Sequence, residues 1–383
     1  MLIVNDVQTL SATNFKLLDK RLRFLRKNSS IIFGGVDVVF VGDFCQLPSI
    51  ARKPLYNTEC SQFRYSVNCY INLPYPCQFE GDFLLHDICQ RFYNGCPSND
   101  DFVTLNTRVV SSIDSLPPNT TVICTSIAER DYINSCFWLK HLSATGQSEG
   151  LVVLCDRLYS ELEINTFCCR ESYSDMRREC PEMLLCYPKC RLMLNTNVAI
   201  CDNLVRGTRG NFVDVVLHPG QCFHVRCIEG MSTKCVYASQ LRCVLWETEG
   251  RIVEIQPVMY KSHSSEGSST VIQIPLLAST AITPRNVQGL TFDALYIPSW
   301  RYCRNYVYVV LSRLRTLDNL FLGQPLNSMQ NYAALEGLTE MLHHFQQTAS
   351  ASTFDYGKLP TTPLLHAEKR TQNRLHCHCL AVD

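Results

Sequence analysis

No stretch of 18 or more apolar residues occurs in the 383-residue chain, and the opening Met1 to Val4 runs at once into Asn5 and Asp6. The sequence therefore predicts neither a membrane span nor a secretory leader, and an intracellular protein is expected. An excess of either charge is also missing, since 35 lysines and arginines offset 35 aspartates and glutamates. That balance excludes a generally basic nucleic-acid binder and confines any phosphate contact to a local patch or groove. Nor is there a glycine-rich string ending in Gly-Lys-Ser or Gly-Lys-Thr: the one Gly-Lys pair, Gly357 and Lys358, runs into Leu359 and Pro360. The chain thus holds no loop of the kind whose backbone N–H groups and lysine cradle a triphosphate.

What is present is apolar mass and sulfur. A hydrophobic content of 46% over this length can bury a large core and predicts two or three domains. The 22 cysteines, without a secretory leader, read as reduced thiols in apolar positions rather than as a disulfide framework. Cys168, Cys169, Cys180, Cys186 and Cys190 form one cluster, and His376, Cys377, His378 and Cys379 another. Neither has the paired spacing that a structural zinc site wants, so no zinc is expected.

Periodicity marks out α/β units. Leu2 to Val4 is a short apolar run, and Ser11 is a plausible cap for a helix carrying Phe15, Leu18, Leu22 and Leu25 at helical spacing. Lys16, Lys20, Arg21, Arg23, Arg26 and Lys27 occupy its remaining surface, more often a solvated face than a phosphate site. Val36 to Val41 reads as a strand buried on both faces of a parallel sheet, ending at Gly42 and Asp43, where ligand loops sit in open α/β folds. Thr121 to Cys124, followed by Ser126 and a helical pattern through Ile133, Phe137 and Leu139, opens a second unit. From Gly210 to Ile274 short strand patterns alternate with turn signals, as in a small inserted β-barrel. The alternation of Val307, Val309 and Leu311 reads as a buried strand with Arg313 at its end, and disorder is expected beyond Thr348.

In combination these segments say more. LIVNDVQTLS from Leu2, Phe33-Gly34-Gly35, and VFVGDFCQLPSI from Val39 resemble motifs two and three of the Pif-type helicases of superfamily one B, the RecD-like group that includes Helitron helicases. LPYPCQF around Cys77 and Gln78 resembles motif four, and DFVTLNTRVV follows it. Met193 to Gly210 is similar to the segment entering the inserted barrel. STAITPRNVQGLTFDALYI resembles motif five and YVYVVLSRLRTLDNLFL motif six, so the resemblance spans residues 2 to 322.

The resemblance implies a P-loop NTPase helicase fold with two RecA-like domains, the first incomplete, and an SH3-like barrel. Residues 1–75 would be the rest of the first domain, 76–205 and 276–325 the second, 206–275 the barrel and 326–383 a helical then disordered tail. It implies ATP and magnesium as cofactors, single-stranded or partly duplex DNA as partner, and nuclear or mitochondrial residence. Acidic groups after a core strand hold magnesium and orient water, and an arginine from the second domain stabilises the transferring phosphoryl group. By resemblance Asp6, Gln46 and Arg313 are catalytic, while Asn5, Asp43, Gln288 and Gly289 bind nucleotide, with Asn5 and Asp6 at magnesium. Asn286 and Thr291 contact DNA.

The chain also departs from the pattern. Asn5 stands where the family has the magnesium-associated aspartate, Asp6 where it has glutamate, Cys77 where motif four has arginine and Asn286 where motif five has lysine. Losing a charge-stabilising arginine alone costs on the order of a thousandfold in rate. With the phosphate loop expected upstream of Met1, ATP turnover by this chain alone is not expected. The alternative is a non-catalytic single-strand binder, for which Tyr302, Tyr306 and Tyr308 are candidate stacking residues, although packing is the commoner role of tyrosines in such a run.

Overall fold

The computed structural model describes residues 1–47, 53–57, 61–72, 79, 81–113, 116–145, 150–158, 183–228, 231–264, 267–301, 305–330, 332, 336–348 and 350–353. The chain begins with β1 (Leu2–Val4), α1 (Ala12–Leu25), β2 (Val38–Phe40), α2 (Ser61–Ser66) and β3 (Cys69–Asn72). It continues through α3 (Phe83–Tyr93), α4 (Asn99–Asn106), β4 (Thr121–Ile123) and α5 (Ile127–Thr145). Next come β5 (Leu151–Leu154), β6 (Asp156–Leu158), β7 (Met183–Cys186), β8 (Arg191–Leu194), β9 (Arg209–Leu217), β10 (His224–Ile228), β11 (Met231–Tyr237) and β12 (Leu241–Thr248). After them run β13 (Arg251–Ile255), β14 (Val258–Ser264), β15 (Gly267–Gln273), β16 (Leu276–Ala278), β17 (Ala281–Ile282), α6 (Pro284–Val287) and β18 (Leu295–Ile297). The last elements are α7 (Tyr306–Leu311), β19 (Leu320–Leu322), α8 (Glu336–Thr348) and β20 (Ser350–Thr353).

The first lobe is assembled from both ends of the chain. Ser11, in extended backbone, accepts the Asn14 N–H at 3.2 Å and starts α1 where the sequence placed a cap. Phe15 of α1 meets Phe33 and Phe63 edge-on, with ring centroids 5.7 and 5.3 Å away. Leu338, Met341 and Phe345 of α8 enter the same core, and β20 pairs parallel with β3, Ser350 opposite Cys69. Disorder beyond Thr348 was the expectation, but residues 350–353 form a strand because β3, remote in sequence, offers an edge to pair with. Lys16, Lys20, Arg21, Arg26 and Lys27 are exposed.

The reading of Val36 to Val41 as a strand covered on both faces is corrected. Among the described residues β2 pairs only with β1, in parallel, with Val4 opposite Phe40, and Ile3, Val39 and Val41 remain 59%, 43% and 44% exposed. The phenylalanine cluster covers one face of a two-stranded sheet. β-branched residues favour a strand, but they do not fix how many of its faces are covered.

The second lobe is centred on a parallel sheet of order β17-β4-β18-β19, flanked by α3, α5 and α7. At the carboxyl end of β17 the chain enters α6 and the segment from Asn286 to Thr291, the sheet edge where open α/β folds place ligands. The strand-rich stretch forms antiparallel β13-β12-β9-β8-β16, a sheet β10-β11-β5-β7 and a sheet β14-β15-β6, each in open order among the described residues. Strands outside 206–275, namely β5, β6, β7, β8 and β16, complete these sheets.

The corner between α3 and α4 carries a pH-dependent tie. Arg91 donates to both carboxylate oxygens of Asp101, and a capping box closes as Asp101 accepts the Ser98 N–H at 2.8 Å. Burial pushes the Asp101 carboxyl up, but the Arg91 and Ser98 bonds outweigh it and hold it below the usual carboxylate range. A depressed folded-state value gives stability that is present above the unfolded value and lost as pH falls through the folded one. Acid titration of wild type should therefore show a loss below about pH 4, and Asp101→Asn should remove about 1–3 kcal/mol at pH 7 and flatten that limb. Coincident acid limbs in urea melts of the two proteins would refute the assignment.

Candidate functional site

The loop after β1 carries Asn5 and Asp6, both exposed, with Asp6 in left-handed backbone at φ 54°. Asp6 Oδ1 accepts Gln8 Nε2 at 3.2 Å, and Gln8 Oε1 accepts the Asp43 N–H at 3.3 Å. The buried Gln8 thus joins the β1 loop to the β2 loop. Its position in the motif-two segment gives no hint of this, since a glutamine among polar turn residues has no periodic signature. Gly42 must be glycine, for its φ is 150° and a Cβ there would strike the Gln8 amide.

Asp43 caps its own turn and does more. Its Oδ1 accepts the Cys45 N–H at 2.8 Å, its carbonyl accepts the Gln46 N–H at 3.1 Å, and the Gln46 side chain also bonds to the carboxylate. Across the cleft Tyr308 Oη donates to Asp43 Oδ2 at 2.9 Å. Burial pushes the carboxyl above its ordinary range, opposed by the bonds from Cys45, Tyr308 and Gln46 and by the nearby positive charge of Arg313.

The expected strand from Val307 to Leu311 is a helix, α7. Tyr306, Val307, Val309, Val310 and Leu311 are all buried, so the alternation was part of a nearly continuous apolar run, which periodicity does not resolve into strand or helix. Arg313 still falls just past the end of the element. It is buried, its Nε donating to Val309 O at 3.1 Å and Nη2 to Ser312 Oγ at 2.9 Å. Burial lowers its affinity for the proton, while Tyr308 and Asp43 act against that loss. Tyr306 is packed edge-on against Trp300 at 6.4 Å, which is a core role, and Tyr302 lies outside the described residues.

Gln288, at the end of α6, reaches the first lobe through Nε2 to Leu47 O at 3.3 Å. Gly289 follows in left-handed backbone at φ 76° and is exposed. Asn286 lies within α6, and Thr291 is held from the other side, its carbonyl accepting Arg209 Nη2 at 2.8 Å while the Arg209 guanidinium lies 4.5 Å over the Phe292 ring. The cleft therefore gathers Asp6, Asp43, Gln46, Gln288 and Arg313 along a chain of contacts. Asn286 and Thr291 flank it on the β17 side. Cys77, Gln78, Cys168, Cys169, Cys180, Gly357, Lys358 and the His376 to Cys379 run lie outside the described residues, and Cys186 and Cys190 are buried.

Asn5 and Asp6 offer exposed oxygen donors of the type magnesium takes. The fit to a triphosphate is one-sided, because the sequence supplies no glycine-rich lysine loop to cradle it.

Residues 1–68 match the family described as PIF1-like helicase. The chain is 23% identical over 325 residues to the ATP-dependent DNA helicase PIF1 of Mus musculus, covering 83% of this chain and 44% of that protein. With the Homo sapiens protein of the same name it shares 23% identity over 328 residues, covering 83% and 45%. It thus spans a little under half the length of these relatives. The Candida albicans Pif1 helicase structure superposes with a TM-score of 0.63 at 16% identity, over 90% of this chain and 76% of that one. Bacteroides Pif1 bound to ssDNA gives 0.59 at 18% identity, over 90% and 75%. Motifs two, three, five and six in order, the meeting of their residues between the two lobes and the shared fold lead to one statement: residues 1–68 match the PIF1-like helicase family, and the chain is similar over most of its length to Pif1 helicases.

Proposed function

We propose that the chain is part of an ATP-dependent DNA helicase that moves 5′ to 3′ on a single strand, in DNA repair, recombination, telomere maintenance or transposition. The observation that carries this reading is the meeting, between two cores, of Asp6, Asp43 and Gln46 with Gln288 and Arg313. In such an engine these residues join the nucleotide side of one lobe to the DNA-facing segment of the other. Asn5 and Asp6 would hold magnesium, which supplies charge neutralisation at the phosphates when bound. Gln46 would contact the terminal phosphate, and Arg313 would neutralise charge from the second lobe. Asn286 and Thr291 would face the strand, and the nucleus or mitochondrion is the compartment in keeping with the relatives' chemistry.

For this chain alone the reading is narrower. The neutral Asn5 and the shorter Asp6 favour DNA binding without turnover. Purified chain should bind fluorescent single-stranded DNA with an affinity that falls about tenfold or more between 50 and 200 mM salt and does not respond to ATP and magnesium. An ATP-dependent change in anisotropy, or tight magnesium-dependent ATP binding, would show that a complete nucleotide site exists. Absence of DNA binding at low salt would overturn the nucleic-acid reading.

A further inference from the structure

We infer that Tyr308 is the positioning residue that registers helix α7, and with it Arg313, against the first lobe by donating its phenol to the Asp43 carboxylate. The inference rests on the cleft reading above and goes beyond it by naming what holds the two sides in register.

The two residues are 265 positions apart, and their oxygens lie 2.9 Å apart. Tyr308 also packs against both the first-lobe core and the core of the parallel sheet. Its ring meets Tyr93 of α3 edge-on with centroids 5.2 Å apart, which fixes the direction of the phenol. The acceptor is equally fixed, because the Cys45 N–H and the Gln46 side chain hold the carboxylate before Tyr308 reaches it. A neutral phenol donating to a partly buried carboxylate is a charge-assisted hydrogen bond, stronger and more directional than a neutral pair.

The consequence for Arg313 is geometric. Its guanidinium is bonded to Val309 O, one residue after Tyr308, so any rotation of α7 that broke the phenol bond would carry the arginine with it. The Gln288 bond to Leu47 O reaches the same loop from α6, a second point that resists sliding but does not set the rotation of α7.

The test is native-state hydrogen exchange by mass spectrometry on the full chain at constant pH, read in peptides covering residues 41–47 and 305–316. Variants are Tyr308→Phe, Asp43→Ala, Asp43→Asn and Tyr308→Phe with Asp43→Ala. Tyr308→Phe should raise exchange about tenfold or more in both segments, the size expected for one buried hydrogen bond to a charged group. Asp43→Ala should do the same, the double variant should be no worse than either single one, and Asp43→Asn, which keeps one acceptor oxygen but loses the other and the charge, should raise exchange by less than the alanine variant. Acceleration confined to the substituted segment, or additive single effects, would overturn the inference. Should Tyr308→Phe melt the whole chain, the Asp43 pair decides: a greater loss of protection at 305–316 in the alanine than in the asparagine variant supports the tie, and equal behaviour of the two refutes it. No nucleotide enters the measurement, so its failure is separate from failure of the nucleotide reading, which the ATP titration decides.

Discussion

Asp19→Ala should unfold the first lobe while leaving the second folded. Asp19 is buried in α1, where it accepts the Phe33 N–H at 2.6 Å, Arg23 Nε at 2.9 Å and Gln62 Nε2 at 3.3 Å. The Phe33 bond matters most, because Phe33 and Gly34 sit in left-handed backbone at φ 54° and 63°, a conformation that is costly for a phenylalanine unless its surroundings hold it. Alanine leaves a buried N–H and a partly buried guanidinium without their acceptor, an expected loss of about 3–5 kcal/mol. Such a loss is a large fraction of a small lobe's stability. Exchange of residues 12–40 should approach unfolded rates, with β4 and β18 still protected, and the Asp43 turn should lose its partner in Gln8. Asp19→Asn, which keeps one acceptor oxygen, should cost less. Unchanged protection across α1 in the alanine variant would show that Phe33 does not depend on this carboxylate.

Much of this arrangement was legible because it is local. Ser11 capped its helix as read, β4 and α5 lie where Thr121 to Leu139 placed them, and the motif residues meet because the loops that carry them leave core strands or helices of fixed direction. What escaped the sequence is non-local. Gln8, Tyr308 and Asp19 act through partners 35, 265 and 14 positions away, and none of those pairings leaves a periodic trace. Tyr308 was weighed as a base-stacking or packing residue, whereas its ring packs and its hydroxyl bonds, two roles that one side chain divides between its apolar body and polar tip. The helix α7 was misread for a related reason. A run of valines and tyrosines has high strand propensity, and tertiary burial on nearly every side overrides it.

The same distinction between local signal and packing bears on the strand-rich region, where Trp246→Ala should cost about 3–5 kcal/mol. Trp246 is fully buried in β12, opposite Phe212 of β9, at the centre of the core that also holds Leu192, Leu194 and Ile255. Gly210 shows how tightly the indole is held: a Cβ there would come within 2.6 Å of the ring and would also strike the Glu247 carbonyl. Gly210→Ala should therefore cost about 1–3 kcal/mol by overpacking. Trp246→Phe should cost less in the Gly210→Ala background than in wild type, because it relieves the ring contact but not the Glu247 carbonyl, and urea melts of the four proteins would read the difference as coupling. The effect should extend to DNA. Arg209, next to Gly210 on β9, bonds to the Thr291 carbonyl and lies over Phe292, so a loosened sheet releases the segment that flanks the cleft. Trp246→Ala measured below its melting temperature should accordingly weaken single-strand binding, whereas Asp101→Asn, in the first turn of α4, should not; equal losses in both would mean that general destabilisation, and not this path through Arg209, is what binding senses.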